Sequence, residues 1–97
     1  MKLLTKELEN KIPSLYETDG KDKKTIYAKF FNPVGSGTWY VLEYDKEGQI
    51  FFGAVDLGYG IELGYFSLEE LESVKLPFNM KIERDKFWEP KDLSEIM

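Results

Sequence analysis

The sequence predicts an α+β domain: an antiparallel sheet of about five strands with short helices packed on one face. Three observations point there. Strand-like segments cluster in the middle of the chain, they are joined by short turns, and helical spacing appears only at the two flanks. The chain has 97 residues, which is the length of a single domain spanning 1–97. Its 42% hydrophobic content and 15 aromatic residues supply a modest core without staples.

Each element follows from local pattern. Thr5 is placed to N-cap a short helix running to Lys11, with Leu4, Leu8 and Ile12 along one side. Pro13 follows, where a helix stops. The polar run "ETDGKDKK", Glu17 to Lys24, reads as a loop. In "TIYAKFF", Thr25 to Phe31, the period changes to two, with Ile26, Ala28 and Phe30 on one face. "NPVGSG" is turn chemistry. "TWYVLEYD", Thr38 to Asp45, is the next strand, and strict alternation puts Tyr40, Leu42 and Tyr44 on one face and Trp39, Val41 and Glu43 on the other. "KEGQ" reads as a hairpin loop with Gly48 at the positive-φ position. "IFFGAVD" returns, "LGYG" turns, and "IELGYF" forms a strand to Phe66.

Ser67 and Glu70 then form an S-x-x-E capping box, followed by Leu68, Leu71 and Val74 at helical spacing. Glu69, Glu70 and Glu72 sit near the positive end of that helix, which accounts for half of the local acidity. "MKIERD", Met80 to Asp85, reads as a last strand. A short C-terminal helix is expected near Pro90, with Leu93 and Ile96 packing.

Composition removes several chemistries. With neither cysteine nor histidine, disulfides, thiolate nucleophiles, Ser-His-Asp arrangements and the usual zinc sites are out of reach. A carboxylate pair or a carboxylate-bound divalent ion survives. The opening "MKLLTKELENK" has too short an apolar run for a signal peptide, and no stretch reaches the ~18 apolar residues of a membrane span. A cytoplasmic location without membrane association is expected.

The net charge of −5 is unevenly placed. Residues 1–48 hold eight lysines and eight acidic residues, whereas 49–97 hold five basic and ten acidic. From Asp56 to Glu72 there are five acidic residues and no basic one. The basic footprint of a nucleic-acid binder is missing, so direct binding to nucleic acid is not expected. Lys21, Lys23 and Lys24 read as a solvated loop.

No familiar ligand motif is complete. Gly58 and Gly60 start a G-x-G-x-x-G that fails at Leu63 and enters a strand. No Gly-Lys-Ser/Thr follows Gly35 to Gly37, and "DKEG" at Asp45 lacks the calcium-loop ladder. No cofactor, metal ligand or catalytic residue is assigned. Glu43, Asp45, Asp56 and Glu62 lie on or beside strands, and alternation turns such residues outward. The aromatics are more suggestive. Tyr40 and Tyr44 share one face, while Trp39, Phe51, Phe66 and Trp88 line the other. If the termini do not cover the second face, its rings suit a protein interface. Glu62 and Tyr65, three apart in a strand, point to opposite sides. Tyr65 is expected in the core with Ile61 and Leu63, and Glu62 on the far face with Phe66.

The run of "KFFNP", "TWYVLEYD", "IFFGAV", "ELGYFSLEELESV" and "ERDKFWEP" resembles the family catalogued as domain of unknown function 2958. The likeness extends from "MKLLTKEL" to Pro90, and "ELGYFSLEEL" is its strongest piece. The resemblance implies a small bacterial or phage product of a plasmid, conjugative element or prophage. It supplies no activity, cofactor or catalytic residue.

The sequence therefore supports a small acidic, non-enzymatic module that binds a protein partner, with Tyr40, Glu43, Glu62 and Arg84 as its expected surface. One alternative is a divalent-metal-dependent hydrolase or nuclease using Glu43, Glu62 and Asp85. Another is a DNA mimic presenting Asp56, Glu62, Glu69, Glu70 and Glu72, although −5 is sparse beside the charge density of a duplex.

Overall fold

Thr38–Asp45 (β3) is the centre of the molecule and its most buried strand. It pairs with Ala28–Phe31 (β2) on one side and Ile50–Asp56 (β4) on the other. Outside these lie Ile61–Ser67 (β5) and the two-residue Glu83–Arg84 (β6), giving a five-stranded sheet in the order β5-β4-β3-β2-β6. Every pairing is antiparallel. A separate ribbon joins Thr25–Ile26 (β1) to Lys91–Asp92 (β7). The structure, a computed structural model, describes residues 2–97. The expected α+β class is the observed one.

Two short helices pack on one face of the sheet. Lys6–Lys11 (α1) starts at Thr5, whose hydroxyl accepts from the Leu8 N–H at 3.2 Å. Leu68–Ser73 (α2) starts at Ser67, whose hydroxyl accepts from the Glu70 N–H at 3.3 Å. Both caps stand where the sequence placed them. Leu3, Ile12, Leu68, Leu71 and Ile82 come down onto Ala28, Phe30, Val41, Tyr44, Phe51 and Phe66 to close the core. Its centre is aromatic: Phe51 meets Phe30, Tyr44 and Phe66 at ring-centroid distances of 5.4, 4.6 and 5.3 Å.

One irregularity in β3 overturns the expected alternation. The register with β4 shifts between Val41 and Glu43, so Leu42 is an inserted bulge residue. Beyond it the parity is reversed. Tyr44 joins Trp39 and Val41 on the helix-covered face, whereas Tyr40 and Glu43 share the opposite one. Val41, Leu42, Glu43 and Tyr44 are consecutively buried, a pattern no regular half-buried strand shows. The strand opposite is adapted to this. A Cβ on Gly53, which pairs with Val41, would fall on the carbonyl oxygen of Tyr40.

Three further expectations are corrected. In the 45–50 hairpin the positive φ falls on Gln49 (55°), not on Gly48. Gly48 is constrained by space instead, since a Cβ there would lie 2.7 Å from the Asp45 carboxylate that accepts its N–H. The strand expected over Met80–Asp85 is only Glu83–Arg84, because Leu76 to Met80 closes a tight turn through Leu76 N–H to Met80 C=O at 3.1 Å. Near Pro90 the chain forms β7 and a single 3-10 turn, Leu93–Glu95, where a helix was expected. Pairing with β1 and the bond from Leu93 N–H to Lys24 C=O (2.8 Å) hold this segment extended into the ribbon.

Gly53→Ala is expected to destabilise the protein by about 3 kcal/mol or more, the upper end for overpacking a rigid site. Urea unfolding checks it; wild-type stability in the Gly53→Ala protein would mean that the bulge is not required.

Candidate functional site: the β5 edge and its supports

Glu43 shows how the opposite face is organised. The bulge turns its carboxylate beneath the loop that follows α1, where it is 2% exposed. It accepts from the Tyr16 N–H at 2.9 Å, from the Thr18 N–H at 3.1 Å and from the Thr18 hydroxyl. Lys24 adds to the cluster by donating to the Thr18 carbonyl and hydroxyl oxygens at 2.9 and 3.3 Å. Burial pushes the Glu43 carboxyl up, but these hydrogen bonds and the Lys24 charge outweigh it and hold the group below the ordinary glutamate range. An acid so held stays ionised with its oxygens engaged. It positions the loop and is not poised to move a proton.

Tyr40 and Arg84 also tether flanking segments. Tyr40 packs on Trp88 at 5.9 Å, Trp88 donates its indole N–H to the Ile26 carbonyl at 3.0 Å, and the Lys91 ammonium lies 4.5 Å from the same ring. Burial, with Asp56 nearby, raises the Tyr40 phenol and keeps it neutral. Arg84 donates to the carbonyls of Lys2 and Leu3 at 2.5 and 2.9 Å, fixing the N-terminal segment to β6. The C-terminal segment and the 14–20 loop thus cover part of the opposite face.

The part left open lies along β5. The parity expected there is observed, but the burial is inverted. Tyr65 and Leu63, expected in the core, are 56% and 45% exposed, while Glu62 lies on the helix-covered side opposite Val55. The helices stop short of Glu62, leaving it exposed. Leu57 (53%) and Tyr59 (99%), in the turn before β5, extend the apolar surface. Tyr16 joins it from across the face. Its backbone is held by Glu43. Interaction with the Tyr16 hydroxyl is the main cause that raises the Tyr65 phenol. Phe52 backs Tyr65 at 5.1 Å.

The structure therefore does not gather Tyr40, Glu43, Glu62 and Arg84 into one site. Three of them anchor segments of this chain, and only Glu62 belongs to the open surface. Leu57, Tyr59, Leu63 and Tyr65 are the members that alternation alone concealed; their position beside the last strand of the sheet is what exposes them. Two other exposed rings, Phe78 and Phe87, flank β6. Among the described residues no group of three or more acidic side chains is placed to hold a metal ion, and Glu43, Glu62 and Asp85 lie on different elements.

An antiparallel sheet with two capped helices on one face, and an edge strand left open, defines the class as a small α+β protein. A family model described as "Protein of unknown function (DUF2958)" matches residues 2–96, and the chain belongs to that family. Neither a curated protein nor a solved structure matches it. Among the described residues no helix is long and apolar enough to cross a membrane.

Glu43→Gln is expected to cost roughly 1–3 kcal/mol at neutral pH, since buried donors lose a charged acceptor. Because the folded carboxyl titrates below its unfolded value, its contribution is complete above the ordinary glutamate range and is lost as pH falls through the folded value. The gap between wild type and variant should therefore narrow below about pH 4. Urea unfolding at pH 7 and at pH 3.5 measures it, and a gap that widened on acidification would contradict the assignment.

Proposed function

We propose that this protein is a non-enzymatic protein-binding module of mobile-element origin, acting in the cytoplasm through the open surface beside β5. The observation that carries the proposal is a seven-residue edge strand with Leu63 and Tyr65 exposed on it and Leu57 and Tyr59 exposed in the turn before it. Exposed tyrosines beside a polar rim are characteristic of an interface centre, and the two leucines add apolar area around them. Such a surface is costly to leave bare unless a partner covers it. The resemblance to plasmid and phage products supports the genetic setting. The acidic run from Asp56 to Glu72 disfavours contact with a phosphate backbone.

The support holds where it is needed. Glu43 fixes the backbone of Tyr16, and Phe52 packs against the Tyr65 ring, which lowers what that ring has to lose on binding. Glu62 supplies the charged member of the rim. Tyr40 and Arg84 contribute by keeping the two termini off this surface.

Affinity capture from the native host with tagged protein should recover one dominant partner. Recovery is expected to fall at least tenfold with Tyr59→Ser combined with Leu63→Ser, two exposed positions whose change leaves the fold intact. Undiminished recovery with that pair would remove the surface from consideration. Failure of folded wild-type protein to capture any partner would overturn the module itself.

A further inference from the structure

Gly64 occupies the middle of β5, where glycine weakens a strand and nothing local asks for it. Its φ is not in the left-handed region, and a Cβ built on it meets no atom within 4 Å. Gly53, its cross-strand neighbour, is glycine because the Tyr40 carbonyl crowds it; Gly64 has no such reason. The space above it belongs to a groove of about 260 Å³ lined by Val55, Leu57, Tyr59, Glu62, Leu63 and Gly64 itself. The groove is apolar along its walls, with one carboxylate.

The backbone of β5 is open on the same side. Leu68 N–H bonds the Gln49 carbonyl, which places Phe66, Gly64 and Glu62 in the hydrogen-bonded pairs of the β4–β5 ladder. The N–H and C=O groups of Leu63 and Tyr65 consequently point away from the sheet. An incoming extended segment would find two donors and two acceptors there. Its side chains would alternate between Glu62 and Gly64 on one face and Leu63 and Tyr65 on the other.

We infer that β5 adds an extended strand from a protein partner in which basic residues alternate with apolar ones. A lysine or arginine stem lies over Gly64 against Val55 and Leu57, its charged head meets Glu62, and the intervening apolar residue packs on Leu63 and Tyr65. Long basic side chains suit this groove because they carry an apolar stem and a cationic tip. The sign follows from the surroundings, since Asp56 to Glu72 contains five acidic residues and no basic one. The same charges oppose pairing with a second copy, which would bring two such acidic edges together. This rests on the protein-binding function proposed above and specifies its partner.

The test uses the full chain and two synthetic peptides of about seven residues, one alternating valine with lysine and the other valine with glutamate. The lysine peptide is expected to bind saturably, weakening with salt, and to perturb the amide resonances of Leu63 and Tyr65 more than those of Glu62 and Gly64. The glutamate peptide should not bind. Gly64→Val should fill the groove and weaken lysine-peptide binding at least tenfold, while leaving the melting temperature unchanged or higher, because valine is the better strand residue. Glu62→Gln should weaken it about three- to fivefold. Equal binding of both peptides, wild-type affinity in the Gly64→Val protein, or no binding at ~1 mM peptide would overturn the inference. So would a concentration-dependent dimer by sedimentation that Gly64→Val dissolves, since the occupant would then be a second copy. If the lysine peptide fails while a host partner is still captured through Tyr59 and Leu63, the binding module stands and only its strand-adding mode falls; if both fail, the module falls as well.

Discussion

The extra residue in β3 is the constraint on which the rest of the structure depends. Inserting Leu42 between Val41 and Glu43 reverses the parity of the central strand halfway along its length. Its first half sends Trp39 and Val41 into the core, and its second half sends Tyr44 there. The residue displaced to the opposite face is a glutamate, and Tyr16 and Thr18 close over it. Gly53 is the steric complement of this arrangement, because only a residue without Cβ fits beneath the Tyr40 carbonyl.

From the bulge a chain of dependence runs outward to the surface. Burying a carboxylate is unfavourable unless its oxygens are occupied. Glu43 meets that condition by capturing two backbone N–H groups and a hydroxyl from one loop. Capturing the loop fixes the backbone of Tyr16, which takes a positive φ of 68°, uncommon for a bulky residue. That conformation persists because its N–H is committed to Glu43. The tyrosine so fixed lies near enough to raise the phenol of Tyr65 on the edge strand. A carboxylate that resembles a catalytic group in the sequence thus shapes the outer surface by ordinary hydrogen bonding.

Local chemistry was legible in the sequence, and parity was not. Thr5 and Ser67 mark the helix starts because a capping hydroxyl acts over three residues. The strands β3, β4 and β5 stand at the positions their β-branched and aromatic runs indicate. A bulge has no comparable signature: "YVLEY" reads as perfect alternation, and only the neighbouring strand reveals that Leu42 is extra. Which residues of β5 are buried was hidden for a different reason. Leu63 and Tyr65 are apolar and Glu62 is charged, so alternation assigns the first two to the core. The helices in fact lie on the Glu62 side and end before reaching it. The roles of Tyr40 and Arg84 depend on Trp88 and on the Lys2 and Leu3 carbonyls, contacts separated by 48 to 82 positions in sequence.

The two edges of the sheet are protected by different means, and the contrast bears on what β5 is for. The β6 edge is only two residues long, and its Arg84 is committed to the N-terminal segment. A strand so short offers little to pair with. The β5 edge is seven residues long, contains no proline or lysine, and carries glutamate as its sole charged residue. Asp56, paired with the adjacent Ile61, and Glu69 and Glu70 in the first turn of α2 bring further carboxylates to the two ends of this strand, and the chain from Asp56 to Glu72 holds no basic residue. Like charge opposes the approach of an identical edge and favours a basic one, so with the strand-adding function proposed above, protection from self-association and selectivity for a partner would come from the same few carboxylates. Gly64 fits that proposal: at the expense of a weaker strand than valine would give, it keeps open the space that an incoming side chain would need.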